Sequence, residues 1–182
     1  MTMKASVYIA TSLDGFIART NGDLDWLTGA DRAPNGEDYG YQAFMDTVDV
    51  IVMGRHTFDL ALRFDAWPYS GKQVVVLSST TPAIPHHLAD GVAWLALPPH
   101  QVMERLADQG ATHLYIDGGK TIQGFLNADL IDELIITSIP ILIGEGIPLF
   151  GPVPCDIKLK HIETRPFENG FVQRRYTIIH NG

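Results

Sequence analysis

Short unbroken apolar runs alternate along this chain with segments of helical period. The clearest contrast lies in Asp49 to Thr57, Asp-Val-Ile-Val-Met-Gly-Arg-His-Thr. Its first half is a β-branched run bounded by polar residues, the pattern of a strand covered by helices on both faces. The run breaks at Gly54 and continues through Arg55 and Thr57 into the helix-compatible Phe58-Asp59-Leu60-Ala61-Leu62, so a strand hands over directly to a helix N-terminus. Lys4 to Thr11 predicts an opening strand and Ser12 to Gly15 a turn, with Gly15 suited to positive φ. A long Gly-rich loop holding Trp26 runs through Gly29 to Gly36. It leads into a helix from Glu37 to Thr47 with Tyr41, Phe44, Met45 and Val48 on one face. Gln73 to Leu77 is a second buried strand ending in Ser78-Ser79-Thr80, and Val92 to Leu95 a short edge strand. Pro99 to Gln109 predicts a helix with Val102, Met103, Leu106 and Ala107 inward and Gly110 as its stop. His113 to Asp117 is a strand, Gly118-Gly119-Lys120 a turn, and Thr121 to Asn127 a helix burying Ile122, Phe125 and Leu126. Leu134 to Ile143 is another central strand. Asp156 to Ile179 forms a β-hairpin turning at Asn169-Gly170.

Alternating strands and helices imply right-handed crossovers and a mainly parallel sheet, hence an α/β fold in a single domain spanning 1–182. The strand ends carrying Gly54-Arg55, Ser78-Ser79 and Gly118-Gly119-Lys120 then share the carboxyl edge, where open α/β sheets hold ligands. Gly54 followed by Arg55 at a helix start suits a phosphate, through free N–H groups, the helix dipole and a guanidinium fork. The same residues also fit a surface turn with a solvated Arg. Asp38, three residues before Tyr41 and seven before Met45, places a carboxylate beside an apolar stripe, and equally fits a first-turn acid complementing the dipole from solvent.

The 182 residues supply an ample apolar share for a core, and a formal net charge of −8 argues against nucleic acid or an anionic membrane surface as partner. Cys155 is the only cysteine, so no intrachain disulfide forms. Asp14 and Arg19 interrupt the apolar N-terminal run, which reads as a strand and not a signal peptide. Leu134 to Ile143 is too short to span a bilayer, so the expected location is the cytoplasm. Gly119-Lys120-Thr121 lacks the earlier Gly of a P-loop, which would fall on Leu114, and Gly144-Glu145-Gly146 lacks the third Gly of a dinucleotide fingerprint. The seven histidines give no metal-ligand spacing, and no metal is expected.

The ordered set Ala10, Leu13-Asp14-Gly15-Phe16-Ile17, Met53-Gly54-Arg55-His56-Thr57, Leu77-Ser78-Ser79, Ile116-Asp117-Gly118-Gly119 and Pro140 through Gly144-Glu145-Gly146 to Leu149-Phe150 resembles the dihydrofolate reductase superfamily. Within it, the chain resembles the branch that includes the reductase domain of the bifunctional riboflavin-biosynthesis deaminase-reductase. The resemblance implies a three-layer α/β/α fold with a central mixed, mainly parallel sheet and a C-terminal antiparallel hairpin. It also implies an NADPH-dependent reductase acting on a small nitrogen heterocycle, paired as a homodimer. Gly54, Arg55, His56, Thr57 and Lys120 would then hold cofactor phosphates, with Ser78 and Ser79 near the 2′-phosphate. Gly118 and Gly119 would approach the pyrophosphate, and Ala10, Ile17 and Ile116 would flank the nicotinamide. Asp38 would be the active-site acid, its pKa raised by a partly apolar face, with Thr137 bonded to it and Trp26 and Phe58 supporting the substrate. Asp117 stands where dihydrofolate reductases carry the first Gly of a triple-glycine turn, a departure that favours the riboflavin branch over a folate substrate. No zinc-deaminase Cys and His motif occurs, so a riboflavin-pathway role would cover reduction alone. Dihydrofolate reduction and non-catalytic nucleotide binding stand as the alternatives.

Overall fold

The computed structural model describes residues 3–28 and 36–180, so the middle of the expected Gly-rich loop lies outside the described residues. The strands are β1 (Lys4–Ser12), β2 (Phe16–Ala18), β3 (Val50–Gly54), β4 (Gln73–Leu77), β5 (Val92–Leu95), β6 (His113–Asp117), β7 (Glu133–Ile139), β8 (Ile147–Pro148), β9 (Leu159–Pro166) and β10 (Val172–Ile178). The helices are α1 (Asp25–Thr28), α2 (Tyr41–Met45), α3 (Arg55–Ala61), α4 (Pro99–Asp108) and α5 (Gly119–Asn127). An eight-stranded sheet runs β5-β4-β3-β6-β1-β7-β10-β9. Its first six strands are parallel, and the terminal hairpin adds β10 antiparallel to β7 and β9 antiparallel to β10. This is the expected mixed, mainly parallel α/β sheet.

Strand alternation sends the two sides of each central strand into different layers. Val50, Val52, Leu114 and Ile116 pack with Val102 and Leu106 of α4 and Ile122 and Phe125 of α5. Ile51, Met53 and Tyr115 pack on the opposite side with Phe44 and Met45 of α2 and Phe58 of α3. Both faces of β3 are therefore dry, which is why its sequence is an apolar run and not an alternation. Each fully buried side chain of this kind contributes roughly 1.5–3 kcal/mol relative to exposure.

Several elements differ from expectation. The helix foreseen from Glu37 to Thr47 is reduced to α2, because Tyr39 (φ 58°) and Gly40 (φ 80°) adopt left-handed conformations that a right-handed helix cannot include. On α4, Ala107 is exposed while Val102 and Leu106 are buried. The run from Leu134 to Ile143 is strand only to Ile139, since Pro140 has no N–H for a ladder. A second, two-stranded sheet pairs β2 with β8. It is tied down by Asp14, whose carboxylate accepts from the N–H groups of Gly144 (2.8 Å) and Ile143 (3.3 Å). Gly170 (φ 84°) makes the foreseen hairpin turn. Among the described residues no helix is long and apolar enough to cross a membrane.

Candidate functional site

A cleft of about 1210 Å³ opens along the carboxyl edge of the parallel strands. Its position follows from topology, because β3, β4, β6 and β1 all end there and the loops that leave them must diverge around the edge. β3 passes straight into α3, with Gly54 extended (φ −75°) as its N-cap residue and Arg55 opening the helix. Ser78 and Ser79 leave β4, and Gly118, Gly119 and Lys120 carry β6 into α5; all of these residues line the cleft. So do Thr57 and His56 of α3, Ala10 of β1 and Ile17 of β2.

The loops approach closely. Gly118 has a φ of +91°, and a β-carbon there would collide with Thr57 Oγ1 and stand 3.8 Å from the Gly54 nitrogen. Only glycine meets both demands, so the backbones that open α3 and α5 lie side by side. A β-carbon on Gly119 would stand 3.0 Å from Ile17 Cδ1, which brings β2 over the start of α5. Among the described residues lining the cleft, the cationic side chains belong to these helix starts, Arg55 and Lys120, with the His56 imidazole beside Arg55. Arg55 is partly engaged, its Nε donating to both oxygens of Asp59 at 2.9 Å.

Ile116 does not reach the cleft. It points to the opposite face of β6 and is fully buried beside the α4 and α5 side chains. The substrate-side expectations also need correction. Asp38 is exposed, its two oxygens accepting from the backbone N–H groups of Gly40 (2.9 Å) and Gln42 (3.0 Å). These bonds, the Gln42 one foremost, hold its carboxyl below the usual range, the reverse of the expected rise. It caps the start of α2, the solvent-side role. Thr137 is buried, and its Oγ1 accepts from Gln173 Nε2 at 3.0 Å in place of pairing with Asp38. Trp26 packs with Ile139 and Phe171, and Phe58 is wholly buried against Trp67, outside the cleft lining.

Among the described residues, the acid that does line the cleft is Asp117. As the last residue of β6 it shares the α2–α3 face with Tyr115, two positions earlier. Its Oδ1 accepts from the Gly118 N–H (2.8 Å) and its Oδ2 from the Tyr69 hydroxyl (3.3 Å). Burial pushes its carboxyl up to about 6, more than these two hydrogen bonds lower it. Burial beside the same carboxylate also drives the Tyr69 phenol well above its usual value. Tyr8 and Tyr41 complete this side of the cleft, their rings meeting edge to face at 5.5 Å. The sequence carried one signal for Asp117: an acid ending a buried strand, directly before Gly118-Gly119, at the edge where ligands sit.

The architecture is a dihydrofolate reductase-like α/β fold. Dihydrofolate reductase from Enterococcus faecalis, solved with NADP(H) and RAB-propyl, superposes with a TM-score of 0.65 at 19% identity, over 97% of this chain and 96% of the other. Residues 4–173 match the RibD C-terminal domain, and the chain belongs to that family. A Shewanella sp. PV-4 protein provisionally named for riboflavin biosynthesis is 44% identical with a TM-score of 0.91, covering 98% of this chain and 100% of its own. The uncharacterised YwjB of Bacillus subtilis (strain 168) is 33% identical over 169 residues, 92% of this chain and 94% of that protein.

Proposed function

We propose that this chain is an NADPH-dependent reductase that delivers a hydride to the carbon of a C=N group in a small nitrogen heterocycle or its ribosyl adduct, the latter being the reaction type of 5-amino-6-(5-phosphoribosylamino)uracil reduction. The observation that carries the reading is the convergence of Gly54-Arg55, Ser78-Ser79 and Gly118-Gly119-Lys120 on one cleft, with Asp117 on its α2–α3 side. The close, side-chain-free approach at Gly118 and Gly119 leaves room for a pyrophosphate against backbone, so the lining fits the cofactor. Arg55 and Lys120 offset its phosphate charge, while Ser78 and Ser79 donate hydroxyls to a 2′-phosphate. The bound dinucleotide supplies the hydride from C4 of its nicotinamide.

The protein's own part is alignment and one proton. Ala10 and Ile17 wall the ring site, and orientation of this kind is worth about 7–11 kcal/mol in well-aligned intramolecular reactions. Asp117, held near 6, keeps a protonated fraction at neutral pH and sits where it gives that proton to the substrate nitrogen as the carbon accepts hydride. The balance is closed: C=N gains a hydride at carbon and a proton at nitrogen, and NADPH becomes NADP⁺. Asp38 has no place in this scheme, and without an Asp38–Thr137 pair the folate reading loses the residues that favoured it. The expected location is the cytoplasm and the expected assembly a homodimer, for which the free outer edge of β9, with Leu159 and Ile162 exposed, offers a surface.

The test is oxidation of NADPH, followed by its absorbance, across a panel of pyrimidinones, pterins and ribosylamino adducts. Asp117→Asn should lower kcat by about 10²-fold or more and abolish the limb of the pH profile near 6. Tight NADPH binding with no oxidation by any member would leave a nucleotide-binding protein without turnover.

A further inference from the structure

We infer that the proton delivered in this cleft reaches the ligand through Tyr69, whose hydroxyl takes the hydrogen of the Asp117 carboxyl and passes its own to the substrate nitrogen. The inference rests on the reductase reading above and deepens it, by naming the group that touches the reacting nitrogen. The two oxygens of Asp117 are not equivalent. Oδ1 accepts from the Gly118 N–H at 2.8 Å, and a backbone N–H only donates, so Oδ1 stays an acceptor in both charge states of the carboxyl. The hydrogen of the acid form therefore sits on Oδ2. Facing Oδ2 at 3.3 Å is the Tyr69 hydroxyl, which both donates and accepts. That separation is long for an O–H···O bond, typically about 2.7 Å, and catalytic bonds of this kind tighten once a ligand is bound.

The bond consequently runs in two directions. With Asp117 charged, Tyr69 donates to Oδ2; with Asp117 protonated, Oδ2 donates to the phenolic oxygen, and the Tyr69 hydrogen turns to another acceptor. Tyr69 lines the cleft, so a bound ligand supplies that acceptor. Transfer then moves two hydrogens along one line. The Tyr69 O–H bond breaks as an N–H bond forms on the substrate, and the Asp117 O–H bond breaks as the Tyr69 O–H bond forms again, while the substrate carbon takes its hydride. Tyr69 ends neutral and Asp117 ends as the carboxylate. Burial and the adjacent carboxylate push the Tyr69 phenol far up, so it relays a proton without holding the negative charge itself. The ring is also fixed in place. Trp67 meets it edge to face at 5.3 Å and Phe58 of α3 backs Trp67 at 5.9 Å, while the Tyr69 carbonyl accepts from the Lys72 N–H at 3.1 Å to close the turn into β4. Among the described residues, the other titratable groups lining the cleft are the Tyr8, Tyr41 and Tyr115 phenols and the Arg55, His56 and Lys120 side chains.

The experiment has one arm without turnover and one with it. In the first, the full chain labelled with carbon-13 at tyrosine Cζ is titrated by NMR between pH 4 and pH 8. The Tyr69 signal, assigned as the one missing from Tyr69→Phe, should move with the Asp117 midpoint near 6 and lie still in Asp117→Asn, a control that separates Asp117 from His56. Tyr69→Phe, which removes a bond favouring the carboxylate, should raise the Asp117 midpoint. In the second arm, single-turnover NADPH oxidation is measured in mixtures of light and heavy water with the panel above, 5-amino-6-(5-phosphoribosylamino)uracil included. Wild-type rates should curve with the deuterium fraction, as two hydrogens in flight require, and Tyr69→Phe should lose at least about tenfold in kcat and give a straight line. A straight line for wild type, turnover by Tyr69→Phe within about twofold of wild type, or a Tyr69 signal indifferent to Asp117 overturns the relay. Failure of every panel member to oxidise NADPH instead sinks the reductase reading and the transfer with it, an outcome told apart because the Tyr69 titration needs no substrate.

Discussion

Replacing Asp117 by Asn should make the protein more stable as the pH rises, and less active. The folded carboxyl titrates at about 6 against an ordinary 3.8, so the native chain holds this proton more tightly than the unfolded one. The stabilising contribution of the protonated acid is complete below pH 3.8 and is lost as the pH climbs through 6. By linkage, the buried charge costs the fold roughly 3 kcal/mol at pH 8 and about half as much at pH 5. Asn carries no charge, keeps an oxygen for the Gly118 N–H and offers its amide to the Tyr69 oxygen, so packing and hydrogen bonding largely survive. The variant's advantage over wild type should therefore grow by about 1 kcal/mol between pH 5 and pH 8, or about 2–4 °C in Tm for a chain of this size. Urea unfolding at pH 5, 6, 7 and 8 measures the growth directly. Parallel stability curves for the two proteins would show that Asp117 is not held in a proton-retaining environment, and the acid role argued from it would fall with that result.

Arg55→Ala should raise the Michaelis constant for NADPH far more than for NADH; equal effects would refute a role at the 2′-phosphate. Asp38→Ala removes the acceptor for the Gly40 and Gln42 N–H groups and should lower the midpoint of chemical denaturation slightly with kcat unaltered. A large loss of turnover would restore it as an active-site acid. Gly118→Ala forces a side chain into φ +91° against Thr57, and should cost about 1–3 kcal/mol and weaken NADPH binding in a fluorescence titration. Glu133 is buried, which pushes its carboxyl up, but Lys4 (2.7 Å) and Arg175 (2.5 Å) outweigh burial and hold it below 4.5. Its contribution is present above pH 4.5 and disappears as acid titrates the folded carboxyl. Glu133→Gln should thus cost about 1–3 kcal/mol at pH 7 and proportionately less at pH 3.5, measured by urea unfolding.

The order of elements was written in the chain itself. Unbroken runs such as Val50–Met53 and Gln73–Leu77 have too much apolar surface for anything but a strand covered on both sides. Gly118 and Gly170 mark turns through backbone freedom that no other residue offers. Local pattern also carried the loops that line the cleft, because parallel strands must end at a common edge. It did not carry which acid faces that edge. Asp38 and Asp117 look alike in sequence, each beside apolar residues and a turn. Left-handed Tyr39 and Gly40 swing the first into solvent as a helix cap, while β6, held between β3 and β1, aims the second into a wall of tyrosines. Helical and strand periods are local properties, set within a few residues. A carboxyl's exposure and proton affinity depend on groups as distant as Tyr69 and Tyr115, which only the packed tertiary structure brings to it.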